Sequence, residues 1–297
     1  MVTNTPFAVD TAGLKEILGE QPLWSHSVEL ATNVFDEFNG YSERAKPTTC
    51  KVTVERDSKG RSSWIQVEDD GAGFEKIEDV FTFFGTTSKR STATVSGRFN
   101  SGEKQLLALA REWTVETAGK IIKFDGSKRN SRTSEITGTK IRANIICTRD
   151  EETEIIDGFR GLIAPKGLSY IVNDKEVERV FYDYFTNVTL PTVILNGGSM
   201  SRTARRTGVE VYKSDNPKLY ELGIPICDIG KGFRYSLNIL QKVPVSMNRD
   251  NVPASFMDIA IGRSLESLTL DGHVLLSEDD EGSEFTKGAF NKIKDAD

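Results

Sequence analysis

The chain has 297 residues, 37% of them hydrophobic and 28% charged, enough of both for a packed core and a wetted surface. This excludes a coiled coil, a collagen-like chain and a fully disordered one, and the length fits one large domain or two ordinary ones. With 44 acidic and 38 basic side chains the net charge is −6, so no global basic field attracts nucleic acid.

No apolar run reaches the roughly 18 residues of a membrane span. Met1 to Asp10 lacks the basic start and apolar core of a secretory signal. Cys50, Cys147 and Cys227 are odd in number and far apart, which reads as reduced thiols in a cytoplasmic protein. With two histidines and no His or Cys pair at ligand spacing, structural zinc is not expected. Composition suggests a first domain over about residues 1–150 and a second over about 155–275. The charged run Arg149 to Glu154 marks the boundary, and 276–297 reads as an acidic loop and tail. The last residues offer no clear closing element, as in a piece of a longer chain.

Ser25 to Phe38 is predicted helical. Val28, Ala31, Phe35 and Phe38 form an apolar stripe, while Glu29, Asn33, Asp36 and Glu37 lie off it and Gly40 ends the run. His26 is expected at the surface or a cap. Lys51 to Glu55 and Trp64 to Glu68 alternate with period two and read as a hairpin feeding Asp69-Asp70-Gly71-Ala72-Gly73. A helical piece is predicted from Gly73 to about Phe84, then a Gly, Ser and Thr-rich stretch to Gly102, then a helix over Leu106 to Glu112. Strands follow at Thr114 to Glu116, Ile121 to Phe124 and Lys140 to Ile146. The order predicts an α+β sandwich, a mixed sheet with helices on one face. In the second region, Leu168 to Val172 and Glu176 to Val180 flank a turn at Asn173-Asp174. Val209 to Tyr212, Phe233 to Leu240 and a helix over Ser255 to Leu265 complete a smaller α+β domain. Trp24, Trp64 and Trp113 read as core residues.

Glu29 and Asn33 stand four apart and are neighbours on one helix face. A carboxylate there can take a proton from water, and an amide oxygen can meet a hard cation such as magnesium. Alone, the pair reads as a solvated helix face. Asp69 to Gly73 follows a strand directly, so its glycines can make turns that let a ligand approach the backbone. Alone, it is equally a plain turn. Gly85 to Lys89 and Gly97 to Lys104 are glycine loops with basic side chains, the second running into a helix whose N-terminal amides favour phosphate. Alone they are equally surface loops. Neither is a P-loop or a dinucleotide fingerprint.

Together, in this order, the pieces resemble the GHKL (Bergerat-fold) ATPase superfamily, which includes the heat-shock chaperone, type II topoisomerase, mismatch-repair and histidine-kinase ATPases. Glu29 to Asp36 resembles the box E-x-x-x-N-x-x-D. Asp69 to Gly73 followed by Phe74 resembles D-x-G-x-G, Gly85 to Lys89 the lid segment, Gly97 to Gly102 the second glycine box, and Gly138-Thr139 the closing G-T pair. Asp70 stands where the family usually has Asn, and Asn100 where the chaperone-type box has Gly. Glu103-Lys104 replaces the usual small or apolar pair, and Glu103 resembles the mismatch-repair version. Val243 to Asp250 resembles the loop whose arginine reaches the nucleotide in the chaperone's middle domain, so the second region resembles a transducer domain. The whole chain also resembles a little-described class of stand-alone ATP-binding proteins of bacteriophages and bacteria.

The resemblance implies a Bergerat-type sandwich followed by a smaller α+β transducer-like domain, binding ATP with Mg2+ and hydrolysing it slowly. Asp69 would accept from the adenine amine, sharing a water with Thr139. Asn33 would hold the metal and Glu29 would polarise the attacking water. Asp36, Gly71, Gly73 and Phe74 complete the nucleotide set with Gly97, Arg98, Phe99, Asn100, Ser101, Gly102 and Glu103. Lys104 would take phosphate oxygens, Lys89 would arrive with the lid, and Arg249 would stabilise transition-state charge. The expected output is lid closure with interdomain or homodimer rearrangement on an unidentified protein or DNA client, with no membrane role. The competing reading is a nucleotide-sensing scaffold without turnover, acting on a host complex. Phosphotransfer to histidine is disfavoured, because no acceptor helix precedes the first box. Arg202, Arg205 and Arg206 form a basic cluster that could meet DNA phosphates but reads first as a solvated loop.

Overall fold

The computed structural model describes residues 11–40, 44–83, 88–98, 102–196, 199–230, 233–246 and 250–273. The chain divides into two compact units. The first takes Met1–Thr87, Phe99–Gly161 and Lys166–Glu178; the second takes Ser88–Arg98, Leu162–Pro165 and Arg179–Asp297. Among the described residues no helix is long and apolar enough to cross a membrane.

The first unit runs α1 (Thr11–Gly19), α2 (Leu23–Asn39), β1 (Thr49–Arg56), β2 (Ser62–Asp69), α3 (Gly102–Leu109), β3 (Glu112–Thr117), β4 (Lys120–Phe124), β5 (Arg129–Thr133), β6 (Thr139–Ile146), α4 (Arg149–Arg160), β7 (Ser169–Val172) and β8 (Lys175–Glu176). Its strands form one mixed sheet in the order β5-β4-β3-β6-β2-β1-β7-β8, with β1 and β7 parallel. One face is apolar: Val52, Val54, Ile65, Val67, Val115, Ile141 and Ala143 are buried there, as period-two alternation requires. The alternate residues make ion pairs such as Arg142–Glu55 (2.9 Å), and the Arg142 guanidinium lies 4.2 Å from the Trp64 ring centre. Helix α2 packs between α3 and α4, which is why Ser27, Thr32 and Asp36 are buried along with its apolar stripe. The Phe35 and Tyr170 rings meet edge to face at 5.2 Å, and the Tyr170 hydroxyl donates to the Phe159 carbonyl.

Several local expectations change here. His26 is buried, not on the surface: its Nε2 lies 2.9 Å from the Leu18 carbonyl and its Nδ1 2.9 Å from Gln105 Oε1, joining α1, α2 and α3. The helix predicted from Gly73 is only a 3-10 turn at Ile77–Val80 within the described residues. The charged run expected as a boundary is the first turn of α4. Thr148 and Glu151 form a reciprocal capping box, three acidic residues face the helix's positive end, and Ile155 and Phe159 bury the opposite stripe. The strand turn at Asn173-Asp174, read as part of the second region, closes the first sheet instead, through β7 pairing with β1. Trp113 is buried, whereas Trp24 and Trp64 are half-exposed.

The second unit holds a 3-10 turn (Ser88–Ser91), β9 (Tyr184–Asn196), β10 (Ser199–Lys213), β11 (Lys218–Glu221), β12 (Ile224–Asp228), β13 (Tyr235–Ile239) and α5 (Ala254–Leu270). The sheet order is β12-β11-β13-β10-β9, with β11 and β13 parallel. Helix α5 packs on β9, and Phe256, Ile261, Leu265 and Leu268 join Val188, Leu190, Val209 and Leu237 in one core.

Candidate active site

The sheet of the first unit brings three strand ends level. Asp69, the last residue of β2, pairs with Thr139, the first of β6, and Thr139 pairs with Thr117, the last of β3. The two hydroxyls lie 3.3 Å apart, and Thr117 Oγ1 accepts the Phe74 amide at 2.9 Å. Two motifs distant in sequence therefore meet by register alone. Gly138 is at φ +85°, and a Cβ there would overlap the Asp69 carbonyl oxygen, so only glycine fits without a shift. A Cβ on Gly73 would come within 2.6 Å of Thr117 Oγ1.

The Asp69 carboxylate accepts the Gly71 amide at 2.8 Å. Burial pushes its pKa up to about 6, with the charges of Asp70 and Glu37 acting the same way and the Gly71 and Thr139 amides opposing them. Among the described residues it has no ion-pair partner. A half-buried acceptor of this kind lacks a donor that a ligand amine can supply.

Asp70, the next residue, does something else. It is exposed and accepts the amides of Thr48 (2.7 Å) and Thr49 (2.9 Å) and the Thr48 hydroxyl, which hold its carboxyl below the usual range. Its charge is engaged by the chain entering β1, so this acid serves as a loop anchor.

Helix α2 supplies the floor. Glu29, Asn33 and Glu37 recur every four residues and are its half-exposed face. Two helical turns separate the ends, about 12 Å. Glu37 acts on Asp69 at one end. At the other, Gly102 opens α3 directly against Glu29: a Cβ on Gly102 would overlap Glu29 Oε2. Between them Asn33 Nδ2 donates to Glu103 Oε2 at 2.9 Å, and Glu103 is ion-paired with the buried ammonium of Lys104. The first turn of α3 thus carries a buried acid–base pair beside the acid and amide of α2. Asp36 is buried in the helix layer.

The second unit holds others of the predicted set. Lys89, half-buried, and Gly97 lie on Ser88–Arg98. Arg98 is buried, and both its terminal nitrogens bind Glu221, at 2.7 and 2.6 Å, so its guanidinium is engaged by a protein carboxylate. Phe99, Asn100, Ser101, Arg249 and Gly85 to Thr87 of the expected lid segment lie outside the described residues. Arg202, Arg205 and Arg206 are exposed on β10, a strand rather than the expected loop.

Three contributors escaped the sequence reading. Thr117 has no motif around it and becomes visible only through strand register. Arg44 donates to the carbonyls of Ala72 (3.1 Å) and Gly73 (2.5 Å) and pins the glycine turn. Glu37 was noted only as a polar face residue. Among the described residues no cluster of three His, Cys, Asp or Glu side chains could hold a metal by itself.

No protein-family model matches the sequence, and no curated protein matches it. Solved structures do. The ATPase region of Saccharomyces cerevisiae topoisomerase II, bound to ICRF-187 (dexrazoxane), matches with a TM-score of 0.50 at 10% identity, over 93% of this chain and 86% of that one. A second structure of the same region gives 0.49 at 10% identity, over 91% and 85%. At this identity the likeness is one of fold: the chain has a Bergerat-type α+β architecture.

Proposed function

We propose that the chain binds ATP with Mg2+ at the end of the first sheet and hydrolyses it slowly, using closure to rearrange a partner complex. The observation that carries this is the α2 face: Glu37 and Asp69 at one end, Asn33 in the middle, and Glu29 against the Gly102 turn at the other. Its length suits an extended nucleotide, with an amine-accepting carboxylate at one end and an anion-favouring helix start at the other.

In this reading the adenine amine donates to Asp69, and Thr139 and Thr117 orient the water beside it. Gly71, Gly73 and Phe74 shape the purine wall. The amides from Gly97 to Gly102 meet the phosphates, and Lys104 exchanges Glu103 for a phosphate oxygen. When bound, magnesium neutralises phosphate charge, with Asn33 as its protein ligand. Glu29 takes the proton of the attacking water, a step worth typically 10²–10⁴-fold. Lys89 and Arg249 approach the terminal phosphate from the second unit, so closure precedes chemistry and limits turnover. A homodimer formed on closure and a protein or DNA client belong to the same reading. A nucleotide-gated scaffold without turnover is the second reading, favoured by the engagement of Lys104 with Glu103.

ATP binding and phosphate release measured together, with magnesium, for the wild type and Glu29→Ala, test this. The proposal predicts binding in both and turnover only in the wild type. Equal turnover in the two proteins removes Glu29 from catalysis, and binding without turnover in either favours the scaffold.

A further inference from the structure

Three aromatic side chains of the second unit stand in water. Phe181 is 90% exposed, Tyr182 42% and Phe185 41%. Scattered exposed apolar residues are ordinary, but neighbouring rings make a patch. The Tyr182 and Phe185 ring centres lie 5.6 Å apart. Phe185 is seated against β10: a Cβ on Gly208 would come within 2.8 Å of its Cζ, so the glycine leaves room for the ring.

Register sets what shares this face. β9 is the edge strand of its sheet and pairs with β10 along its length. Val188 and Leu190 are buried in the core, so Phe185, Asn187 and Thr189 point outward. Directly paired residues share a face. Asn187 pairs with Gly208, Thr189 with Arg206 and Val193 with Arg202, so these two exposed arginines stand on the outer face with the rings. They are about 13 Å apart along the strand, a spacing that meets separate phosphates of one backbone. Arg205 pairs with Leu190 and belongs to the other face. No acidic residue occurs in 184–196 or 199–209. The neighbouring acids are engaged. Glu210, paired with Phe185, is buried and accepts Arg179 Nη2 at 2.5 Å, the Tyr212 hydroxyl at 2.7 Å and Asn238 Nδ2 at 2.8 Å. Asp183 accepts the Lys213 amide at 2.6 Å.

We propose that the outer face of β9 and β10 binds single-stranded nucleic acid, with Phe181, Tyr182 and Phe185 stacking on bases and Arg202 and Arg206 meeting the backbone. Rings beside an acid-free basic strand are what an unpaired strand needs: every base has a face to stack, and each phosphate a charge to neutralise. A duplex keeps its base faces inside and offers the rings nothing. A second copy of the chain would bring the same arginines and no acid to meet them. The surface lies within the second unit and does not depend on the nucleotide reading.

The test is fluorescence anisotropy on the full chain, without ATP, using labelled oligothymidylate, oligouridylate and a DNA duplex of equal length across a salt series. The wild type should bind a single strand about tenfold or more tighter than the duplex. A preference between the two oligomers supports the proposal and names the sugar. Phe181→Ala, at a side chain too exposed to matter for folding, should weaken binding about tenfold. Phe185→Leu, which still fills the space over Gly208, should do the same with an unchanged melting curve. Arg202→Gln/Arg206→Gln should flatten the slope of log affinity against log salt by about 1.4. No binding of either oligomer at low salt overturns the proposal. So does equal affinity for the duplex, or ring variants that bind like the wild type. Sedimentation showing a dimer that Phe181→Ala dissociates also overturns it, since the patch is then a contact between copies.

Discussion

In the first unit, Asp69 sits at a sheet end with backbone amides as its hydrogen-bond donors, and burial drives its carboxyl toward neutrality. In the second, Glu221 is more deeply buried, yet a guanidinium fork and an amide satisfy both of its oxygens. The contrast separates two uses of a buried acid. One that its own fold leaves short of donors is poised for a ligand, whereas one that is fully satisfied is a tie between segments. Burial alone does not distinguish them; the accounting of donors does.

The sharpest way to break this comparison is Glu221→Ala. Leaving Arg98 buried without its partner should cost about 3–5 kcal/mol, seen in calorimetry as a melting temperature lower by about 10 °C. Gly102→Ala should act on chemistry instead. Its Cβ displaces the Glu29 carboxylate, so turnover should fall about 10- to 100-fold, with a smaller loss of melting temperature because a side chain can move where backbone cannot.

Asp69→Asn should act in the opposite sense to Glu221→Ala. The folded Asp69 binds its proton more tightly than the unfolded chain does, having moved from 3.8 to about 6. Stability is therefore lost as pH rises from about 4 to about 6 and is level above. Asn removes that loss, so the variant should melt a few degrees higher than wild type at pH 7 and equal to it at pH 4. Nucleotide affinity has the reverse dependence. The ionised acid accepts the amine best, so affinity should fall by up to tenfold per unit as pH drops below about 6. Isotherms at pH 5, 6, 7 and 8 check this. The smallest effect is Thr117→Val, which deprives the Phe74 amide of its acceptor and should cost about 1 kcal/mol.

Much of the first unit was legible in the sequence, because its signals are local. The stripe on α2, the alternation of β1 and β2, and the glycine turns are dictated by neighbours within a few residues. What was illegible depended on distant partners. His26 looked like a surface residue because Leu18 and Gln105 cannot be paired with it from spacing. The bond from Arg98 to Glu221 has no local signal because the two lie 123 residues apart. The Arg149 to Glu154 run looked like a linker because its charges outweigh Ile155 and Phe159, although Thr148 and Glu151 carried a capping signal. The anchoring of Asp70 by Thr48 and Thr49 has no local signal either, since those partners lie 22 and 21 residues earlier.

The most direct measurement of the central claim is a calorimetric titration of Mg–ATP into the wild type and Asp69→Asn at pH 7.5, with both proteins shown to be folded by their melting curves. The account predicts saturable one-site binding by the wild type and none by the variant, despite its equal or higher melting temperature. Superimposable isotherms, or no heat from the wild type, would contradict it.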